Sequence, residues 1–402
     1  MHQLRTFKRG SGVMAGGLSL VTTAALVLLG LGTLGLEIQY RLRPGNQLEL
    51  TRGEWNLDLS DNRHYVLRGE MEFQNLTSNL EIMIPEVSAQ LTLLSKASLD
   101  GINHTIKVIP AHIDAGARED NYWFGYIVKA QKTTRIKVLI EIEGTDLKAL
   151  QSAWVKVKYM TYGPQGRIPK VRHLVLPLQY PDPEVIPNKR VVEGVAEVYP
   201  IRTHLLTHID DPVEVIKRYV LPHAQAGDIV TLGETPVALM QGRFYHPSQI
   251  KPGWVAQRVC YFFMPTSSLA TACGMQTLVN QVGSVRVLFA IVVGTIAKLL
   301  GKPGVFYQLA GEQARLIDDV TGTLPPYDQF IVLGPDDPQN VVNTLQKETG
   351  LGAAIVDVND LKAVKILAAT SGLSTALIEQ ALRSNPAGNA DEQTPLVLIR
   401  PL

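Results

Sequence analysis

Three observations predict a multidomain chain with an N-terminal transmembrane helix, then an antiparallel β-sandwich, then a mixed α/β domain. The chain opens on a long uncharged run, continues with period-two alternation of apolar and polar residues, and ends in alternating strand and helix signals. The 402 residues carry 38 Lys and Arg against 37 Asp and Glu. That balance excludes a disordered polyelectrolyte and a protein that holds nucleic acid by bulk positive charge. Only 19% of residues are charged, below the soluble norm of about 25%, so some apolar surface is expected to meet lipid or another subunit. Two cysteines, Cys260 and Cys273, are too few for a disulfide scaffold or a four-ligand zinc site.

The first unit is residues 1–36. No charged residue falls between Ser11 and Leu36, and as a helix that run would cover roughly 39 Å, more than the hydrocarbon thickness of about 30 Å. Arg5, Lys8 and Arg9 would also suit a signal peptide, but the run exceeds an h-region of about 7–15 residues and no convincing cleavage site precedes Glu37. The expectation is a single-pass protein held in the lipid bilayer through residues 11–36. Orientation stays open, because Arg41, Arg43 and Arg52 on the far side match the three cations on the near side.

Residues 37–177 form the second unit. Leu67, Gly69, Met71 and Phe73 alternate with Arg68, Glu70, Glu72 and Gln74; Ile136, Val138, Ile140 and Ile142 share one face, as do Val155, Val157 and Tyr159. Strands with one face on a core and one in water give this pattern. Turn signals at Pro44-Gly45, Asp61-Asn62, Asp100-Gly101 and Gly163-Pro164 separate them. The unit reads as a spacer or partner-docking module. Prolines at 177, 181, 183 and 187 exclude helix and central strand, so residues 178–192 are expected to be a stiff extended linker.

From 193 to 402 the signals change. Val195 to Pro200 is an apolar strand, and Asp211-Pro212-Val213-Glu214 supplies an N-cap, a first-turn proline and an acid for a helix. Ile229 to Leu232 and Ala353 to Val356 are short buried strands; Asp337-Pro338 opens a helix that ends at Gly350, and Leu396 to Arg400 closes the chain as a strand. Val287 to Ala297 is apolar but too short to cross a bilayer, which fits a buried or interfacial helix. His204 and His208 lack the Glu that a zincin helix places after its first His, and Gly301-Lys302 runs into Pro303 rather than the Ser or Thr of a Walker loop.

The order of motifs over 193–402 resembles the coenzyme F420 gamma-glutamyl ligases. The matching pieces are Val198-Tyr199-Pro200-Ile201, Gly227-Asp228-Ile229-Val230, Gln241-Gly242-Arg243, Gly301-Lys302-Pro303, Leu316-Ile317-Asp318, Asp336-Asp337-Pro338, Ala354-Ile355-Val356-Asp357-Val358-Asn359 and Thr394-Pro395-Leu396-Val397-Leu398-Ile399-Arg400. The resemblance is placed on this half of the chain alone. It implies a GTP-dependent ligase in which a small-molecule carboxylate is phosphorylated and glutamate's amine then forms the amide. It further implies Mg²⁺ or Mn²⁺ on Asp318 and Asp357, catalytic roles for Arg243 and Asp357, and nucleotide contacts from Arg243 and Asn359. GTP use implies the cytoplasmic side, and the family's habit implies a homodimer. In that family the helix matching Val287 to Ala297 is less apolar, which suggests a membrane-facing or dimer-facing surface here. The sequence departs from the family at Leu239 and Gln241, where a Lys and an acid are usual, at Ala314-Arg315-Leu316, and at Asp360-Leu361. Those substitutions favour an alternative, a catalytically degenerate binding or scaffold protein of a membrane complex.

Overall fold

The computed structural model describes residues 11–42, 46–116, 118–319, 324–358, 363–388 and 392–402. Helix α1 (Ser11–Leu42) does not stop at Leu36 but carries on past Glu37, because a helix already nucleated propagates through isolated charges at little cost. Its segment Thr22–Tyr40 is long and apolar enough to cross a membrane and buries nothing against the rest of the chain, a test that a signal sequence also passes.

Nine antiparallel strands then form the sandwich: β1 (Leu48–Leu50), β2 (Glu54–Asp61), β3 (His64–Asn75), β4 (Ile82–Ser95), β5 (Asn103–Ala111), β6 (Tyr126–Val128), β7 (Thr133–Glu143), β8 (Leu150–Gly163) and β9 (Gly166–Pro177). One sheet runs β1-β3-β7-β5 with β2 on β3, the other β6-β4-β8-β9. The predicted faces are the core faces: Leu67, Met71, Phe73, Ile136, Ile140, Val155 and Val157 have no exposed surface, and Leu67 sits opposite Ile140 across β3 and β7. Full burial of such a side chain contributes about 1.5–3 kcal/mol.

The sandwich is not a free-standing spacer. Ala153, Trp154 and Val155 are buried in succession, as are Leu174, Val175 and Leu176, so β8 and β9 are covered on both faces. Trp154 and Val175 pack with Leu205, Ala238, Leu239, Phe244, Tyr327, Phe330 and Val332 of the next domain. Arg52 reaches across to the Gly242 carbonyl and lies 4.9 Å from the Phe244 ring centre. Gly242 has φ +69°, which favours glycine, and a Cβ there would push the Arg52 guanidinium out of its place. The Trp154 indole N–H donates to His173 Nδ1 at 3.1 Å, and His173 stacks on His246 with 4.3 Å between ring centres.

The proline-rich segment is extended but fastened down. Leu178 is buried, Tyr180 lies against His204 and under Arg218, and His223 Nε2 approaches the Pro183 carbonyl at 2.8 Å. Its last residues form β10 (Arg190–Val192), an edge strand of the next sheet rather than linker.

The α/β domain continues with β11 (Ala196–Ile201), α2 (Pro212–Tyr219), β12 (Ile229–Gly233), α3 (Glu234–Met240), β13 (Phe244–Tyr245), α4 (Trp254–Val259), α5 (Ala272–Val282), α6 (Ser284–Leu299), α7 (Val305–Ala310), α8 (Gln313–Leu316), β14 (Asp318–Asp319), β15 (Ile331–Val332), α9 (Pro338–Thr349), β16 (Gly352–Val358), β17 (Val364–Ala369), α10 (Thr375–Leu382) and β18 (Leu396–Pro401). The main sheet runs β10-β11-β18-β12-β16-β17, with β12 and β16 parallel. The small sheet β13-β15-β14 stands apart from it. The predicted caps are in place: Asp211 accepts from Val213 and Glu214 N–H, and Asp337 accepts from Asn340 N–H. Helices α4 to α8 build a separate lobe around Val259, Leu278, Val287, Ala290 and Phe306.

Candidate functional site

Ligands of sheets with parallel strands bind beyond the carboxyl ends of those strands. The parallel pair β12 and β16 places Gly233 opposite Val356, so Glu234, which opens α3, and Asp357, the next residue of β16, emerge at the same end. A cavity of about 340 Å³ opens there, within reach of both and of Asp318, Tyr327, Leu239 and the 385–388 and 393–395 turns. That volume falls at the small end of the range for small-molecule sites.

Asp318 comes from β14 of the small sheet, where it pairs with Val332. The structure therefore brings the two predicted metal residues, Asp318 and Asp357, to one cavity. It also adds Glu234, which the sequence reading missed. Burial, then the Asp357 and Asp318 charges, push the Glu234 carboxyl up to about 8. Burial and Asp357 raise Asp318 as well. Glu234 Oε2 and the Tyr327 hydroxyl are buried with no hydrogen-bond partner, and Tyr327 is 1% exposed. A buried oxygen left unpaired costs about 1–3 kcal/mol unless a ligand, ion or water engages it; the charges acting on the Tyr327 hydroxyl are those of Asp210 and Arg52, on the seam side, rather than the cavity acids.

This donor set fits a hard divalent cation. Among the described residues no three His, Cys, Asp or Glu side chains close into a cage. Mg²⁺ does not need one, since it takes one or two carboxylates and fills its remaining positions with water and phosphate oxygens. Among the described residues of the wall there is no Lys or Arg, although the Lys365 charge reaches Glu234.

The other predicted residues stand elsewhere. Arg243 does not line the cavity; its Nε donates to the Gly334 carbonyl at 2.7 Å, and its Nη1 lies 3.7 Å from Asp336. Gln241 clamps the same turn, donating to the Asp336 carbonyl at 2.8 Å and accepting from the Asp336 N–H at 2.7 Å. Asn359 and the Asp360-Leu361 departure lie outside the described residues. Leu239 lines the cavity itself. A signal for Glu234 was present: an acid directly after a glycine-ended strand, at the first position of a helix whose glycine N-cap offers no side chain.

No curated relative matches the chain. Among solved structures the chain is similar to the GAE domain of yeast GGA1 at 15% identity, over 34% of this chain and 96% of that one, TM-score 0.20. It is similar to an Archaeoglobus fulgidus protein at 12% identity over 32% of this chain and 94% of that one, TM-score 0.17. The E. coli chaperone DraB aligns at 10% identity over 40% of this chain and 70% of that one, TM-score 0.19. A family model described as the N-terminal Ig-like domain of F420-0:gamma-glutamyl ligase matches residues 49–180. The sequence reading had placed the resemblance on residues 193–402 alone; the match falls instead on the sandwich, which supports a tie to that ligase family through its Ig-like domain.

Proposed function

We propose that this is a membrane-anchored protein whose β12–β16 cavity binds a divalent cation with a phosphate- or carboxylate-bearing ligand, serving GTP-dependent ligation of glutamate to a carboxylate. The observation that carries the reading is the convergence of Glu234, Asp318 and Asp357 on one cavity with an unpaired buried carboxyl oxygen. The Ig-like match on residues 49–180 adds family support from an independent part of the chain. Asp318 and Asp357 would hold the Mg²⁺ or Mn²⁺, whose charge neutralises phosphate oxygens. Glu234, largely protonated near neutral pH, would on losing its proton be a further carboxylate ligand for that cation. GTP use places these domains on the cytoplasmic face.

Calorimetry of Mn²⁺, then GTP with Mn²⁺, into the detergent-solubilised full chain tests this, with Asp318→Asn and Asp357→Asn alongside. Binding in the wild type that disappears in both folded variants supports the reading; no heat at millimolar ligand rejects it. A second reading, binding without turnover, is favoured by Leu239 in the cavity wall and by Arg243 and Gln241 being committed to the Gly334–Asp336 turn. GTP binding without release of GDP and phosphate in the presence of glutamate and candidate carboxylates would select it.

A further inference from the structure

From Thr235 to Gly311 the chain has no Asp or Glu, although Arg243, Lys251, Arg258, Arg286, Lys298 and Lys302 lie within it. This stretch builds the α4–α7 lobe, whose helix α6 is apolar on two sides. Helix α6 buries Val287 and Ala290 against the lobe's core, while Val285, Phe289, Val292, Ile296 and Leu299 stay exposed, between 54% and 83%. Their spacing of four, three, four and three residues makes one continuous helical stripe. A helix apolar on both sides is normally buried on both. Trp254, Tyr261, Phe262 and Met264 of the same lobe are also exposed, Tyr261 to 86%.

We infer that this lobe lies on the surface of the bilayer that α1 spans, with anionic lipid as its partner; the inference rests on the membrane-anchored reading of α1. Arg52, which docks on Gly242, is only ten residues beyond Leu42, the end of α1, a reach of at most about 36 Å even fully extended. Gly242 leads through β13 directly into the lobe, so the lobe is tethered close to the membrane. Charge selects lipid over a second copy of the chain. Two such faces apposed would set cations against cations with no acid in the stretch to pair them, whereas anionic headgroups attract every Lys and Arg near the surface. Trp254 and Tyr261 are the residue types enriched where hydrocarbon meets water, and Arg258 sits over the Trp254 ring at 4.6 Å.

The test uses the full chain reconstituted into phosphatidylcholine–phosphatidylglycerol vesicles, with Phe289→Trp as a reporter and the wild type as background. Emission added by the new tryptophan should be quenched by acyl-brominated lipid and spared by aqueous iodide. Lys298→Gln with Lys302→Gln should weaken the docked state about five-fold per residue. Added emission quenched by iodide and indifferent to brominated lipid overturns the inference, because the stripe then faces water. Emission quenched by neither also overturns it, because the stripe is then covered by protein. Alkaline carbonate extraction separates the two readings: a chain that is retained while its reporter faces water keeps the α1 anchor and loses only the lobe contact, and a chain that is extracted and unquenched loses both.

Discussion

The seam between the two domains and the cavity beside it both bury ionisable groups, with opposite consequences. In the seam the groups are bases. Burial, with nearby Arg and Lys, drives His173 and His208 down to about 3 and lowers His246, while burial and Arg172 bring Arg52 down to about 10. The histidines stay neutral and pack as flat aromatic bodies, with both His208 ring nitrogens and His173 Nε2 buried without a hydrogen-bond partner. In the cavity the groups are acids, and Glu234 is raised to about 8. There burial keeps a proton on the acid, whereas in the seam it takes the proton off the bases. The same burial therefore gives the two regions opposite responses to pH.

The sharpest way to break the comparison is to remove the seam. Trp154 is 4% exposed and at the centre of the interdomain cluster. Trp154→Ala should destabilise the chain by about 3–5 kcal/mol, seen as a lower midpoint in denaturant melts. If the cavity depends on the seam only through the shared Leu205, Leu239, Leu324 and Tyr327, Mn²⁺ should still bind the folded fraction; a variant that folds but cannot bind would show the two regions to be one unit.

The sandwich was legible because its strands alternate: Leu67, Met71 and Phe73 against Arg68, Glu70 and Glu72 follow directly from a one-sided sheet. The helix caps at Asp211 and Asp337 were legible for the same reason, since their chemistry is local. The seam was not read, although its mark was there. Ala153 to Val155 and Leu174 to Leu176 break the alternation as unbroken apolar runs, which signal burial on both faces. In the cavity, Asp318 and Asp357 were found through motif order. Glu234 carried a local signal as an acid opening a helix after a glycine-ended strand, but its meeting with Asp357 arises only when two strands more than a hundred residues apart pair in parallel. Arg243 stood in a recognisable Gly-Arg element, but its neighbour Gly242 receives Arg52 from the sandwich, a contact no motif within residues 193–402 could encode.

Glu234→Gln sharpens the contrast at smaller magnitude. A carboxyl held at about 8 in the folded chain against about 4.5 unfolded binds more protons when folded, so stability falls as pH rises from about 4.5 to about 8. The glutamine variant cannot ionise. It should match the wild type near pH 4 and exceed it near pH 8 by on the order of 2 kcal/mol without metal, a discounted conversion of the shift because the group is not wholly buried. Millimolar Mn²⁺ should narrow that gap by stabilising the wild type, with three carboxylates at the cavity, more than the variant, with two. Equal melting temperatures of both proteins at pH 8, with and without Mn²⁺, would remove Glu234 from the site.

The smallest expected effect lies in the seam and has the opposite sign. A base lowered to about 3 binds fewer protons folded than unfolded, where it titrates near 6.5, so stability contributed by neutral His208 is present above about 6.5 and is lost as pH falls toward 3. Both ring nitrogens of His208 are buried without a hydrogen-bond partner, and its ring faces Phe244 at 6.1 Å. Leucine fills a comparable volume and has nothing to leave unpaired. His208→Leu should therefore stabilise the chain by about 1 kcal/mol at pH 7, with a larger margin at pH 5, measured by thermal melts across that range. A margin that stays flat from pH 7 to pH 5 would mean that the His208 proton is not what acid acts on. His173, whose Nδ1 accepts from Trp154, would then be the seam's acid-sensitive residue, since protonating that nitrogen breaks the hydrogen bond at the seam's centre.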